Sequence, residues 1–188
     1  MSSSLQRLLD NFERQVGLPF RERLPPAQRV WFVVYAPEQE RRIRFLWPEF
    51  KLRSEKHGKE WKPIDMTDLV PNWVLAQGRH GIAYLKFPSS LDGQTIQDGL
   101  SETISERISA LSLTPTSLCV LVGLGGLFGF ASISALVNSI QDDDLVPGRL
   151  VCFFPGSRDQ NSYHFMNARD GWNYHALPIT DEEGFLHA

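Results

Sequence analysis

Three continuous apolar runs constrain the fold of this chain more than any other feature: RVWFVVYA (29–36), SLCVLVGLGG (117–126) and RLVCFFPG (149–156). They are rich in β-branched and aromatic residues and show no polar alternation. An alternating strand can leave one face in water, whereas a continuous apolar strand must be covered on both, as in a parallel sheet between helical layers. Helical patterns fall between the runs. Leu5, Leu8, Leu9, Phe12 and Val16 form one stripe over 4–16, opposite Arg7, Asp10, Glu13 and Arg14, and Gly17 and Pro19 end it. Pro37 opens a helix over PEQERRIRFLWPEF, with Glu38 and Glu40 near its positive end. KLRSEKHGKEW reads as a polar turn, and KPIDMTDLV as a short strand running into a helix capped by Thr67 or Asp68. From about Thr95, Ile96, Leu100, Ile104, Ile108 and Leu111 share a stripe, and LFGFASISALVNSI is helical as far as QDDD. VPNWVLAQGRHGIAYLKFPSSLDGQ (70–94) shows no clean period.

Strands alternating with helices predict one α/β domain over 1–188, with a helix at 1–17 and a tail at 181–188. Its sheet is mostly parallel, roughly five-stranded and covered by helices on both faces. The strands are placed near 30–36, 62–66, 117–123, 149–154 and 174–179. Phe32, Val34, Val120, Val122, Cys152 and Phe153 are assigned to the core.

A chain of 188 residues is long enough to bury one sizeable core, and 42% hydrophobic with 22% charged residues is an ordinary globular balance. A net charge of −3 argues against general nucleic-acid affinity, because phosphate neutralisation needs an excess of Lys and Arg. The basic residues do gather in 1–62 (RERLPPAQR, ERRIR, KLRSEKHGK) and acids in 141–188 (QDDD, DEE), so one basic face stays open as an expectation. Cys119 and Cys152 each sit inside an apolar run and read as reduced core thiols of a cytoplasmic protein. MSSSLQRLLDNFERQVGL is amphipathic and broken by charge, unlike a leader's apolar core. Leu118 to Val137 approaches membrane length, but its four glycines, two serines and flanking DDD make it strand, turn and helix.

The glycine cluster VGLGGLFGF (122–130) follows a strand and precedes a helix, where backbone N–H groups can cradle phosphate. It lacks the Lys-Ser/Thr ending of a phosphate loop, and Phe128 stands where G-x-G-x-x-G needs its third glycine. The first strand is followed by PEQERRIR, whose carboxylates would repel phosphate. A tight turn is the plainer reading of the cluster, with a nucleotide pocket as the alternative. Asp65 and Asp68 lie where α/β sheets hold Mg²⁺, and equally where a helix needs a cap. The five histidines are scattered without metal-ligand spacing, and no G-x-S-x-G elbow or catalytic triad is present.

PGSRDQNSYHFMNARDGWNY (155–174) holds two Arg-Asp pairs, Arg158/Asp159 and Arg169/Asp170, among Tyr163, His164, Phe165, Trp172 and Tyr174. Arginine with aromatics is the composition of protein-interface anchors, and it also grips single-stranded nucleic acid. The stretch reads as a loop, either packed on the domain or used for docking.

These elements together resemble the BrxB family, the small component of bacteriophage-exclusion (BREX) defence systems. The resemblance runs over most of 1–180. It rests on VWFVVYAPEQE, WKPIDMTDLV, VLVGLGGLFGFASISALVNSI and, most specifically, FFPG and RDGWNYHALPI. The usual Pro and His after the glycine turn are missing, and Arg169 stands where Lys or Asp is frequent. The resemblance implies a non-catalytic adaptor in a cytoplasmic anti-phage assembly, docking a PglZ-like phosphatase-domain protein or a large ATPase. It carries over no catalytic residue, cofactor or metal, and direct nucleic-acid or membrane contact is not expected. The expected docking residues are Arg158, Asp159, Arg169, Asp170, Trp172 and Tyr174. Two alternatives stay open: a nucleotide-binding or hydrolysing domain using 122–130, and a nucleic-acid-binding accessory protein.

Overall fold

The computed structural model describes residues 3–21, 24–87, 92–160, 162–166, 168 and 171–182. Five strands make the central sheet: β1 (Val30–Tyr35), β2 (Glu60–Asp65), β3 (Ser117–Val122), β4 (Arg149–Asp159) and β7 (Leu177–Ile179). Their order is β2-β3-β4-β1-β7, and every pair along it is parallel. The α/β class, the five strands and the covering of both faces follow the pattern read from the apolar runs, and all six expected core residues are buried.

The path of the chain decides which helix covers which face. From β1 it crosses through α2 (Glu40–Lys56) to the far edge at β2, then steps back to β3 and β4. The return uses α3 (Leu69–Ala76), α4 (Arg79–Lys86), α5 (Gly93–Ser109) and α6 (Ile133–Asp142). Because the direction reverses while crossover handedness stays constant, outgoing and returning helices must lie on opposite faces. Accordingly Ile43 and Phe50 of α2 join α1 (Ser3–Gly17) over Trp31, Val33, Val120 and Phe153. The stripes of α5 and α6 cover Phe32, Val34, Leu121 and Cys152 on the other face. Phe32 is the hub of that second core: its ring lies 5.3 Å from Phe154, 4.8 Å from Tyr163 and 5.7 Å from Tyr174.

Three expectations need correction. Helix α2 does not stop at Phe50 but runs to Lys56, through residues read as a polar turn. Pro48 lies on the exposed side, where the carbonyl it deprives of a partner meets water, while Phe50 and Ser54 continue the buried stripe begun by Ile43. Helix α4 forms inside the stretch that showed no period, with most of its length exposed and Gly81 packed on α3. Finally, 155–174 is not a loop. Strand β4 continues to Asp159 and pairs antiparallel with β5 (Ser162–Phe165), which pairs with β6 (Trp172–Asn173). The period-2 burial that makes β5 a strand is only four residues long, with Tyr163 and Phe165 inward, too short to stand out among polar neighbours.

Several acids and bases of the first third pair with one another. Arg53 reaches Asp10 (2.7 Å), Glu13 (2.9 Å) and Glu49 (3.2 Å), and Lys56 reaches Glu13 (2.8 Å), tying α1 to α2. Asn11 donates to the carbonyls of Thr180 (2.7 Å) and Glu182 (3.0 Å), which fastens α1 to the chain after β7. Cys119 and Cys152 are free and buried, and burial pushes the Cys119 thiol up to about 12. Among the described residues no helix is long and apolar enough to cross a membrane.

Two outcomes follow. Phe32→Ala should lower the unfolding free energy by about 3–5 kcal/mol, read from chemical denaturation, because it empties the centre of the aromatic cluster. Arg53's hydrogen bond and charge hold Asp10 below its ordinary 3.8, and the Lys56 and Arg53 charges hold Glu13 below 4.5. Depressed carboxylates stabilise the fold above those values and lose that contribution as pH falls through the folded ones. Arg53→Met should therefore lower the melting temperature at neutral pH and flatten its decline below pH 4.5, in melts taken across the acid range.

Candidate functional site

In a parallel sheet every strand ends at the same edge, and α/β proteins gather functional groups in the loops there. At this edge the ends of β1 and β2 are joined through α2 by one chain of hydrogen bonds. The Tyr35 hydroxyl donates to Glu40 Oε2 (2.5 Å), and Arg44 Nε donates to Glu40 Oε1 (3.0 Å). Arg44 Nη2 then donates to Thr67 Oγ1 (2.8 Å), and the Thr67 hydroxyl and amide both donate to Asp65 Oδ1 (2.5 and 2.9 Å). Burial and the Glu40 charge push the Tyr35 phenol well up, so it stays a neutral donor. Arg44 is committed to two partners and packs over Trp47 at 5.4 Å. The chain is a clamp between loops: Asp65 is held by Thr67, and Asp68 occupies the start of α3 without a side-chain cap. Among the described residues no group of three His, Cys, Asp or Glu side chains is placed to hold a metal.

The glycine turn packs onto this clamp. Gly123 has φ +71°, a left-handed conformation, and a β-carbon there would overlap Thr67 Oγ1 and come within 2.8 Å of Asp65 Oδ1. Three of the turn's amides are used internally: Gly126 N–H donates to Gly123 O (3.1 Å), Phe128 N–H to Gly125 O (3.2 Å) and Phe130 N–H to Leu127 O (3.0 Å). Leu124 and Leu127 are fully buried between them. At the start of α2, Gln39 N–H closes onto Ala36 O (2.8 Å), and the Glu40 carboxylate already sits at the positive helix end. These amides and this dipole are satisfied by the protein itself, which is the geometry of a packed turn.

The arm formed by β4, β5 and β6 rises from the same edge. FFPG marks where it begins. At Gly156 the backbone of His164 approaches so closely that a β-carbon would overlap its carbonyl oxygen. Arg158 faces Tyr163 in the ladder, its guanidinium 6.0 Å from that ring, and Asp159 is exposed opposite Ser162. Burial pushes the Tyr163 phenol up to about 12. Tyr174 is a structural residue: its hydroxyl donates to Gln141 Oε1 and its ring packs on Phe32. Trp172 contributes its backbone to β6, and Arg169 and Asp170 lie outside the described residues. Of the six expected docking residues, Arg158 and Asp159 thus stand on the arm and Tyr174 belongs to the core.

Two residues that drew no attention as a pair complete the surface. Phe128 and Phe130 flank Gly129 at the end of the glycine turn and are 47% and 49% exposed. The Phe128 ring lies 5.7 Å from Phe165 of the arm, and Met166 at the arm's foot passes Gly125. The glycine turn and the Arg/aromatic segment, distant in sequence, are therefore one surface. The F-G-F pattern after two buried leucines was its available signal, masked by the glycines' likeness to a phosphate loop.

The turn's two roles separate by substitution. Gly123→Ala should destabilise by roughly 1–2 kcal/mol from backbone conformation alone, with the Thr67 overlap added. Gly125→Ala meets nothing closer than the Met166 sulfur at 3.9 Å and should melt like the parent. Thermal melts of the pair check this. Comparison of the chain with protein-family models, with curated proteins and with solved structures found no match, so the reading of this edge stands on its own geometry.

Proposed function

We propose that this protein is a non-catalytic adaptor of a BREX-like anti-phage system, docking a larger subunit through the C-terminal edge of its sheet. The observation that carries the reading is the half-exposed Phe128 and Phe130 pair beside the β4–β5 arm. Large aromatics held on a rigid turn are the usual anchors of protein interfaces, and Phe128 packs on Phe165 of the arm that also carries Arg158 and Asp159. The position agrees with the residues behind the BrxB resemblance, since FFPG forms the foot of the arm and LGGLFGF the turn against it. On that resemblance the partner is a PglZ-like phosphatase-domain protein or a large ATPase, and the setting is cytoplasmic.

The nucleotide alternative is the less favoured, because the amides that would cradle phosphate close onto Gly123, Gly125 and Ala36 carbonyls. The nucleic-acid alternative loses ground for a similar reason: Arg29, Arg44, Arg53 and Lys56 are paired with this chain's own carboxylates.

Co-expression with the large proteins encoded beside it tests the proposal. The parent should co-purify with one of them, and Phe128→Ala/Phe130→Ala should lose it at an essentially unchanged melting temperature. Truncating such anchors costs about 2 kcal/mol or more each, roughly thirtyfold in affinity. Full retention of the complex by the folded double variant would place the contact elsewhere.

A further inference from the structure

Helix α4 is held to the molecule along one side. A β-carbon at Gly81 would overlap the Val74 carbonyl oxygen, so the helix lies directly on the backbone of α3, and Tyr84 beside it is half-buried. At 3.6 residues per turn, Ile82, Lys86, Arg79, Ala83, Phe87 and His80 follow one another around the opposite side, in a continuous arc of about 160°. All six are exposed. Ile82 is 55% and Phe87, one residue past the helix end, 65% exposed, and the two cations stand between them on the arc.

The chemistry of this arc names its occupant. From Leu69 to Leu91 the chain has no Asp or Glu, although its net charge is −3. The flanking acids are Asp68, at the start of α3, and Asp92, which caps α5 through the Thr95 amide. Arg79 and Lys86 form no ion pair among the described residues. The complement of such a face is anionic and carries apolar surface. It also brings acceptors without donors: besides the His80 ring, the arc offers no carboxylate, amide or hydroxyl to receive a donor. A protein surface brings N–H and O–H donors that would lose water here without gaining a partner. Lipid phosphodiesters only accept, and in a fluid surface they move to meet cations at any spacing.

We propose that the outward arc of α4 is a peripheral contact for an anionic lipid surface, with Ile82 and Phe87 entering the boundary between headgroups and acyl chains and Arg79 and Lys86 on the lipid phosphates. The helix lies in the plane of the surface, since eight residues are far too few to cross it. Two cations and two partly inserted apolar groups hold less firmly than one acyl chain, so half-binding falls at about 1 mM lipid. The contact is weak and reversible. None of the motifs behind the BrxB resemblance falls within α4, so its expectation of no membrane contact does not extend to this helix. No residue of the arc belongs to the proposed docking edge.

Flotation of the full chain with vesicles, up to about 5 mM lipid, tests it. The parent should float with vesicles of mixed phosphatidylglycerol and phosphatidylcholine, stay behind with phosphatidylcholine alone, and be released by high salt. Arg79→Gln/Lys86→Gln should weaken binding about fivefold per charge removed, and Ile82→Ser about fivefold at unchanged charge. Arg41→Gln/Arg42→Gln, which removes two exposed cations from α2, should bind like the parent. All these positions are exposed, and circular dichroism melts verify that the variants fold. Binding that is equal on phosphatidylcholine, that survives Arg79→Gln/Lys86→Gln, or that falls as much in Arg41→Gln/Arg42→Gln would each overturn the proposal. A parent that ignores the vesicles, with Arg79→Gln/Lys86→Gln losing a co-purified subunit instead, would overturn it in favour of an acidic protein partner.

Discussion

Strand β4 is paired with β1 from Leu150 to Pro155 and, on its other side, with β3 from Arg149 to Cys152. Its first eight residues are buried, so its backbone groups have no water to turn to and need these ladders. That requirement sets much of the rest. Parallel neighbours demand crossovers, the crossovers demand helices, and a path that reverses direction demands helices on both faces. Once past its last β3 partner, β4 does not end but takes β5 as an antiparallel neighbour, and the arm results.

The two cores joined through this sheet differ in character. One is aliphatic stripes from α5 and α6 closed by an aromatic cluster around Phe32, to which the arm contributes Tyr163 and Phe165. The arm is thereby anchored in the core and is no appended flap, so anything bound at its foot meets a rigid surface. The other core, under α1 and α2, is closed from outside by the Arg53 and Lys56 ion pairs and by Asn11 holding the chain after β7. Ion pairs this close to solvent contribute little individually. Their larger effect here is to fix α1 against α2.

The C-terminal edge is built from contributions that each look unremarkable alone. Glu40 and Arg44 are one turn apart on α2, Thr67 and Asp65 surround the end of β2, and Gly123 lies some sixty residues further on. Linked, they hold three loops at fixed spacing and leave Phe128 and Phe130 as the apolar groups facing out beside the arm. A turn whose amides are satisfied and whose glycines accommodate neighbours is suited to presenting side chains.

The sequence by itself determined the class of fold, the five sheet strands and the identity of most of the core. Burial on both faces leaves an unbroken apolar run, and burial of one helix face leaves a 3.6-residue period, both of which are local marks. The position of Gly123 after its strand was legible for the same reason. Only the tertiary structure decided that α2 extends past Phe50 to Lys56, because that depends on Ser54 being buried against the rest of the molecule. It alone decided that 155–174 is an arm and that Tyr174 belongs to Phe32, since a four-residue strand becomes recognisable through its partner. It also brought the glycine turn to the arm and Arg53 of α2 to Asp10 and Glu13 of α1. Those are relations between residues far apart in the chain, and short-range pattern carries no record of them.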